Sequence, residues 1–359
     1  MAGHLEIKMG ELFSGPGGIA CGIKMAAESK ELSGQVSVKH VWSNDFDSDT
    51  CDTYRHNIDI AKTAVICKDV RKLQISELPP INALAFGFPC NDYSVVGEKK
   101  GMSGTYGPLY SYGVKTLIEK QPLWFFAENV SGLRNSNDGK DFEKILKEMF
   151  DAGYDLFPNL YCFEEYGIPQ ARHRIIIIGI RKDLKKKFMI PAPSHVICTC
   201  KDALENPPIP EDAPNNEKTV QNPIVVKRLS YIKPGENAFT ADLPDDLKLN
   251  IKGAKISQIY RRLDPQKPAY TLTGSGGGGT HMYHWSEPRA LTNRERARIQ
   301  TFPDDFVFLG NKESVRKQIG MAVPPQGAKI IFEAVFKTLL DTPYDSVEAS
   351  MTPMVHESD

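Results

Sequence analysis

Ile7-Lys-Met-Gly-Glu-Leu-Phe13, then Ser14-Gly-Pro-Gly-Gly18, then a small-residue run from Ile19 to Ala27, reads as a strand, a glycine turn and a helix. Glycine allows a backbone to turn through positive φ and to approach a ligand closely. The amides that open such a helix favour an anionic group. Working outward, Val36 to Ser43 is a second strand ending at Asn44-Asp45, 30 residues after Gly15. A carboxylate at that tip suits a ribose diol, because it accepts both hydroxyl hydrogen bonds. Phe46 beside it offers a flat face to an adenine ring. Ala64 to Asp69, Ile81 to Phe86, Trp124 to Val130 and Ile175 to Ile180 read as further strands. Strands alternating with helices predict an α/β fold with a doubly wound, mostly parallel sheet.

The chain has 359 residues, 41% hydrophobic and 25% charged, enough for a large core and two domains. No apolar run approaches the roughly 20 residues that span a bilayer, and the N-terminus lacks the charged-then-apolar order of a signal peptide. No membrane association and a cytosolic or nuclear compartment are expected. Seven cysteines, an odd number, do not form a disulfide framework and agree with a reducing compartment. The net charge of −1 argues weakly against a nucleic-acid partner. The distribution points the other way: Arg172 to Lys187 holds seven Lys and Arg against one Asp, and Lys252 to Arg298 holds nine against three acids. One face of a neutral molecule would then be basic. The alternative is solvated charge on an ordinary surface.

Phe86-Gly-Phe-Pro-Cys-Asn-Asp-Tyr-Ser94 follows the apolar run from Ile81 and places Cys90 where a buried strand ends. Ligands gather outside the carboxyl ends of parallel strands, so a thiol there is exposed for chemistry. Taken alone, a free cysteine is more often a small apolar filler. Two further segments weigh against filler: Trp124-Phe-Phe-Ala-Glu-Asn-Val130 ends in a carboxylate and an amide, and Gln170-Ala-Arg-His-Arg174 offers two arginines at i and i+2. On an extended chain that spacing sends both guanidinium groups to one face.

From about Lys182 to Glu287 the sequence is rich in proline and poor in helical periodicity, which predicts a second, irregular domain. His195, Cys198 and Cys200 lie close together but lack an obvious fourth ligand, so no metal site is expected. The last part of the chain returns to an amphipathic helix through Ile330, Ile331, Ala334, Val335, Thr338 and Leu339.

Taken in order, Glu11-Leu-Phe-Ser-Gly-Pro-Gly-Gly18, Asn44-Asp45, Gly87-Phe-Pro-Cys90, Glu128-Asn-Val130, Gln170-Ala-Arg-His-Arg174, the block from Arg289 to Pro303 and Gly320-Met-Ala-Val-Pro-Pro325 resemble the DNA cytosine methyltransferases that modify carbon 5. The likeness covers nearly the whole chain. It implies S-adenosyl-L-methionine as cofactor, held by Phe13, Gly15, Gly17, Gly18, Asp45, Phe46, Asp69, Val70, Pro89, Ala322 and Val323. It implies that Cys90 adds to carbon 6 of a flipped cytosine. Glu128 would act as a general acid at ring nitrogen 3, a role that needs a raised pKa. Arg174 would hold the ring carbonyl, Arg172 would orient the base or contact phosphate, and Asn129 would fix the loop around the acid. DNA contacts are implied for Asn91, Ser94, Gly276, Gly277, Thr280, His281 and Arg289.

The resemblance also divides the chain: a catalytic domain over 1–181, a target-recognition domain over 182–300, a returning segment over 301–345 and a flexible acidic tail over 346–359. Expected partners are duplex DNA and a separately acting cognate restriction endonuclease, with the protein a monomer at the nucleoid of a bacterial cytoplasm. Met321 stands where the family usually has Asn, which puts that amide's contacts in doubt. Alternatives are a transfer RNA cytosine methyltransferase, a DNA-binding module without catalysis, and a nicotinamide-dependent oxidoreductase. The last explains the glycine loop but not Cys90 with Glu128.

Overall fold

The structure is a computed structural model that describes residues 4–89, 109–249, 258–274 and 278–356. Two compact units emerge: Met1–Cys162 with His173–Pro193 and Pro325–Asp359, and Phe163–Arg172 with Ser194–Pro324. Among the described residues no helix is long and apolar enough to cross a membrane.

In the first unit, β1 (Leu5–Leu12), β2 (Val36–Asp45), β3 (Val65–Cys67), β4 (Ala83–Gly87), β5 (Trp124–Val130), β6 (Tyr154–Cys162) and β8 (His173–Arg181) form one sheet in the order β3-β2-β1-β4-β5-β8-β6. The pairings from β3 to β5 are parallel, and β8 runs antiparallel to both β5 and β6. The sheet is therefore doubly wound and mostly parallel. Trp124 to Ala127 and Ile175 to Ile180 are continuously buried, as expected for strands covered on both faces. The chain reverses strand order at β1, whose end Leu12 pairs with Asn44 on one side and Phe86 on the other. That crevice is where ligands of open α/β sheets bind.

Helices α1 (Gly18–Ala27), α2 (Ser48–Asn57), α3 (Tyr110–Lys120) and α4 (Lys140–Asp151) follow β1, β2, β4 and β5 in the sequence. The amphipathic stretch near the end forms a further helix, Pro325–Leu339, belonging to the same unit. Its Phe332 ring lies 5.1 Å from that of Phe126 and 5.7 Å from that of Trp124. Gly22 permits the close approach of α1 to this helix, since a Cβ there would sit 2.6 Å from Ala328 Cβ and from the Pro325 carbonyl.

The unit boundaries differ from those read in the sequence. Residues up to Pro193 stay with the first unit because Ile190–Pro191 pairs antiparallel with Ser346–Val347. The tail expected to be flexible from 346 is instead hydrogen-bonded along edge strand β6. Leu156 and Met354 exchange backbone bonds of 2.7 and 3.0 Å, Ser350 bonds Asn159, and the His356 amide donates to Asp155. Open strand edges carry unpaired backbone groups, and the tail satisfies them.

The second unit has little regular ladder: the pairing of β7 (Gln170–Ala171) with β10 (Ala269–Tyr270) is two residues long. Buried guanidinium groups hold its loops. Arg262 donates to the carbonyls of Leu229, Ile232, His284 and Trp285, and Arg294 to those of Pro214, Pro303 and Phe306. Part of the charge that suggested a basic face is therefore internal. Arg262, Arg294 and Arg296 are buried, and Arg298 pairs with Asp304. In the first unit Arg181 pairs with Asp183, Lys186 with Asp341, and Lys182 sits over the Phe150 ring. Much of the clustered charge is used up inside the units.

Candidate active site

The ends of β4 and β5 are in register, Gly87 opposite Glu128. Glu128 and Asn129 are the last polar residues of an apolar strand, so one reaches the rim and the other stays inside. Buried Asn129 donates from Nδ2 to the Phe88 carbonyl at 3.1 Å, while its Oδ1 accepts from the Val130 amide at 2.8 Å. An amide that satisfies two backbone groups at once is a rigid brace, since leaving either group unmade would cost about 1–3 kcal/mol. Arg174 enters from antiparallel β8, opposite Val130, and its Nε lies 2.8 Å from Glu128 Oε1. Both side chains are largely shielded. Gly87 leaves room beside them, since a Cβ there would sit 3.2 Å from Glu128 Oε2.

The glycine turn occupies the neighbouring strand end. Phe13 has φ 55° and Gly15 φ 56°, so the turn is left-handed at a residue that is not glycine, a conformation that surrounding contacts must hold. The holding contacts are on β2. The Ser14 amide donates to the Asn44 carbonyl, and the Gly15 amide donates to Asp45 Oδ2 at 3.0 Å. Asp45 Oδ1 accepts the Asp47 amide at 3.1 Å. Burial raises the Asp45 pKa against these lowering bonds. A Cβ at Gly15 would meet nothing within 4 Å, which leaves open space over the loop, and Phe46 is 66% exposed beside it.

Beneath the loop lies Glu11, fully buried in β1, with Oε2 accepting from Tyr54 Oη at 2.9 Å. Its Oε1 and the Ser14 hydroxyl have no hydrogen-bond partner among the described residues. Burial pushes the Glu11 pKa up to about 8, opposed by the Tyr54 bond and supported by Asp45. Glu11 was missed as a candidate site residue. Its signal was a single acid inside the apolar run Ile7–Leu12.

The model of the C-5 cytosine-specific DNA methylase family matches residues 7–337. The chain belongs to this family. A type II methyltransferase of Brevibacillus brevis, M.BbvI, is 56% identical over 96% of this chain and 95% of its own length. M.NgoFVII of Neisseria gonorrhoeae is 37% identical, covering 95% and 89%. A solved structure described as a DNA modification methyltransferase encoded within an E. coli prophage superposes with a TM-score of 0.70 at 24% identity, over 93% of this chain and 99% of the other. The chain is a DNA (cytosine-5-)-methyltransferase of restriction-modification type.

Not every residue expected in this methylase's site joins it. Arg172 is 1% exposed and donates to the carbonyls of Leu272, Gly320 and Ala322, all in the second unit. Arg172 lies between β7, which ends at Ala171, and β8, which begins at His173. A phosphate contact is excluded by that burial, and Arg172 is a clamp on three backbone carbonyls. Arg289 is likewise saturated, bidentate to both Glu287 and Glu295, which corrects its expected DNA contact. Burial, with Arg296 and Arg316 nearby, lowers the His281 pKa to about 4. At neutral pH it is an uncharged ring rather than a phosphate cation.

Of the expected cofactor residues, Val70 is buried in the core. Asp69 is held by Arg71, whose guanidinium and amide bonds keep its carboxyl at about 2. Pro89 is half-buried, and Ala322 and Val323 are buried in the second unit; Thr280, an expected DNA contact, ends a short 3-10 turn in that unit. Cys90, Asn91, Ser94, Gly276 and Gly277 lie outside the described residues. Among the described residues no group of three or more His, Cys, Asp or Glu is placed to hold a metal, and Cys200 donates to the Asp264 carbonyl.

Proposed function

We propose that this methylase modifies carbon 5 of a flipped cytosine within a short duplex DNA sequence, using S-adenosyl-L-methionine and a covalent bond from Cys90. The open loop at Gly15, the exposed Phe46 ring and the unpartnered Ser14 hydroxyl fit that cofactor. Phe13, Gly15, Gly17 and Gly18 would hold its methionine end, Asp45 the ribose and Phe46 the adenine. When bound, it supplies an electrophilic methyl group on a sulfonium.

The observation that carries the reading is the pairing of Glu128 with Arg174 beside the braced Phe88 carbonyl, two residues before Cys90. Carbon 5 of cytosine is a poor nucleophile until electrons enter the ring at carbon 6. The Cys90 sulfur forms that bond, and the charge moves to ring nitrogen 3, where Glu128 delivers a proton. Arg174 holds the adjacent carbonyl oxygen. Once carbon 5 carries the methyl group, a base takes its proton, the carbon 5–carbon 6 double bond re-forms and Cys90 leaves as thiolate. A stacked base exposes none of these atoms, so the target leaves the duplex at a cost of a few kcal/mol.

In the cell, modified sites would be protected from a cognate endonuclease. Incubation with labelled S-adenosyl-L-methionine and either duplex DNA or transfer RNA, followed by mapping of modified cytosines, tests the reading. Label at one cytosine of a recurring DNA sequence supports it. Label on transfer RNA alone overturns it.

A further inference from the structure

Two thiols that take no part in this chemistry stand behind the Asp45-Phe46 turn. Cys51 lies on α2 and is 1% exposed, and Cys67 is the exposed last residue of β3, paired in register with Asp45. Cys51 Sγ donates to the Asp45 carbonyl at 3.5 Å and Cys67 Sγ to the Phe46 carbonyl at 3.9 Å. Cys67 also stands close enough to Cys51 to push that thiol's pKa up. Two cysteines from different elements thus hold consecutive carbonyls of the turn that carries the expected ribose and adenine contacts.

We infer that Cys51 and Cys67 form a dithiol that a hydroperoxide closes to a disulfide, loosening the Asp45-Phe46 turn and weakening cofactor binding. The coupling rests on the cofactor reading above; the crosslink does not. The exposed Cys67 sulfur attacks the peroxide O–O bond, giving a sulfenic acid and releasing an alcohol, or water from hydrogen peroxide. The Cys51 sulfur then displaces the sulfenic hydroxyl, which leaves as water with the Cys51 proton. Two thiols lose two electrons and two protons, and the peroxide is reduced. Burial and the neighbouring Cys67 and Asp45 all push the Cys51 thiol up, so the buried sulfur waits as the resolving partner while the exposed one reacts first.

The consequence for the turn is chemical. A disulfide has no S–H, so both donors to the carbonyls of residues 45 and 46 vanish together, and the sulfurs close to about 2.0 Å.

The test uses the full chain carrying Cys90→Ser, which removes the expected nucleophile as a competing thiol. After hydrogen peroxide, peptide mass mapping should find Cys51 joined to Cys67. S-adenosyl-L-methionine should bind about tenfold more weakly by calorimetry, equivalent to roughly 1.4 kcal/mol, and dithiothreitol should restore it. Adding Cys67→Ser, an exposed position, should abolish the response. Accumulation of Cys67 sulfinic acid without a crosslink overturns the inference, and a crosslink with unchanged affinity overturns the coupling. A reduced protein that binds no S-adenosyl-L-methionine overturns the cofactor reading instead, while the mass map still scores the crosslink.

Discussion

Glu11 and His40 set opposite pH limits on this fold. Between 4.5 and about 8 the unfolded chain releases the Glu11 proton while the folded chain keeps it, so stability falls as pH rises through that window. For His40, which burial lowers from 6.5 to about 4, the unfolded chain takes up a proton that the folded one refuses, and stability falls as pH drops from 6.5 toward 4. The interval from 6.5 to 8 therefore isolates Glu11. Denaturant titrations there should show declining stability in the parent chain and a flatter profile for Glu11→Gln; an unchanged slope would refute the assignment. On the general-acid role proposed for it, Glu128→Gln should lower the methyl-transfer rate by about 10²–10⁴, the usual worth of such a group, with DNA affinity far less affected. Rate and affinity measured together decide it. Asn129→Ala removes the brace on Phe88 and should cost about 1–3 kcal/mol of unfolding free energy together with turnover. Glu128 and Asn129 were legible because two polar residues end an apolar strand. The burial of Arg172 and Arg289 was not, because a sequence shows that an arginine is present but not which carbonyls or carboxylates will surround it.

At the scale of elements, the strands were legible from apolar runs bounded by glycine, proline or acid, and the glycine turn from its composition. The contact between α1 and the helix Pro325–Leu339 was not, since it joins segments some three hundred residues apart through a position marked only by a missing side chain. Gly22→Val should overpack it and destabilise the protein by about 1–3 kcal/mol. Thermal melting should show a drop well beyond that of Lys24→Ala, an exposed change on the same helix. The tail was misread because its three acids and lack of Lys or Arg suggest a solvated segment, whereas it docks through the backbone of Met354 and the Ser350 side chain.

For the whole molecule, removing residues 346–359 should expose the β6 edge. Sedimentation at increasing concentration should then reveal self-association absent from the full chain; a truncated protein that stays monomeric and equally stable would refute the capping role. Charge counting misled at this scale too, since the arginine clusters are consumed by buried carbonyls and carboxylates.

Asn129 bears on fit. The Phe88 carbonyl is pinned to β5, and Gly87 just before it lies in register with Glu128. The end of β4 therefore cannot drift away from that carboxylate without first breaking a buried hydrogen bond, so this rim is a fixed edge against which a ligand would have to be fitted.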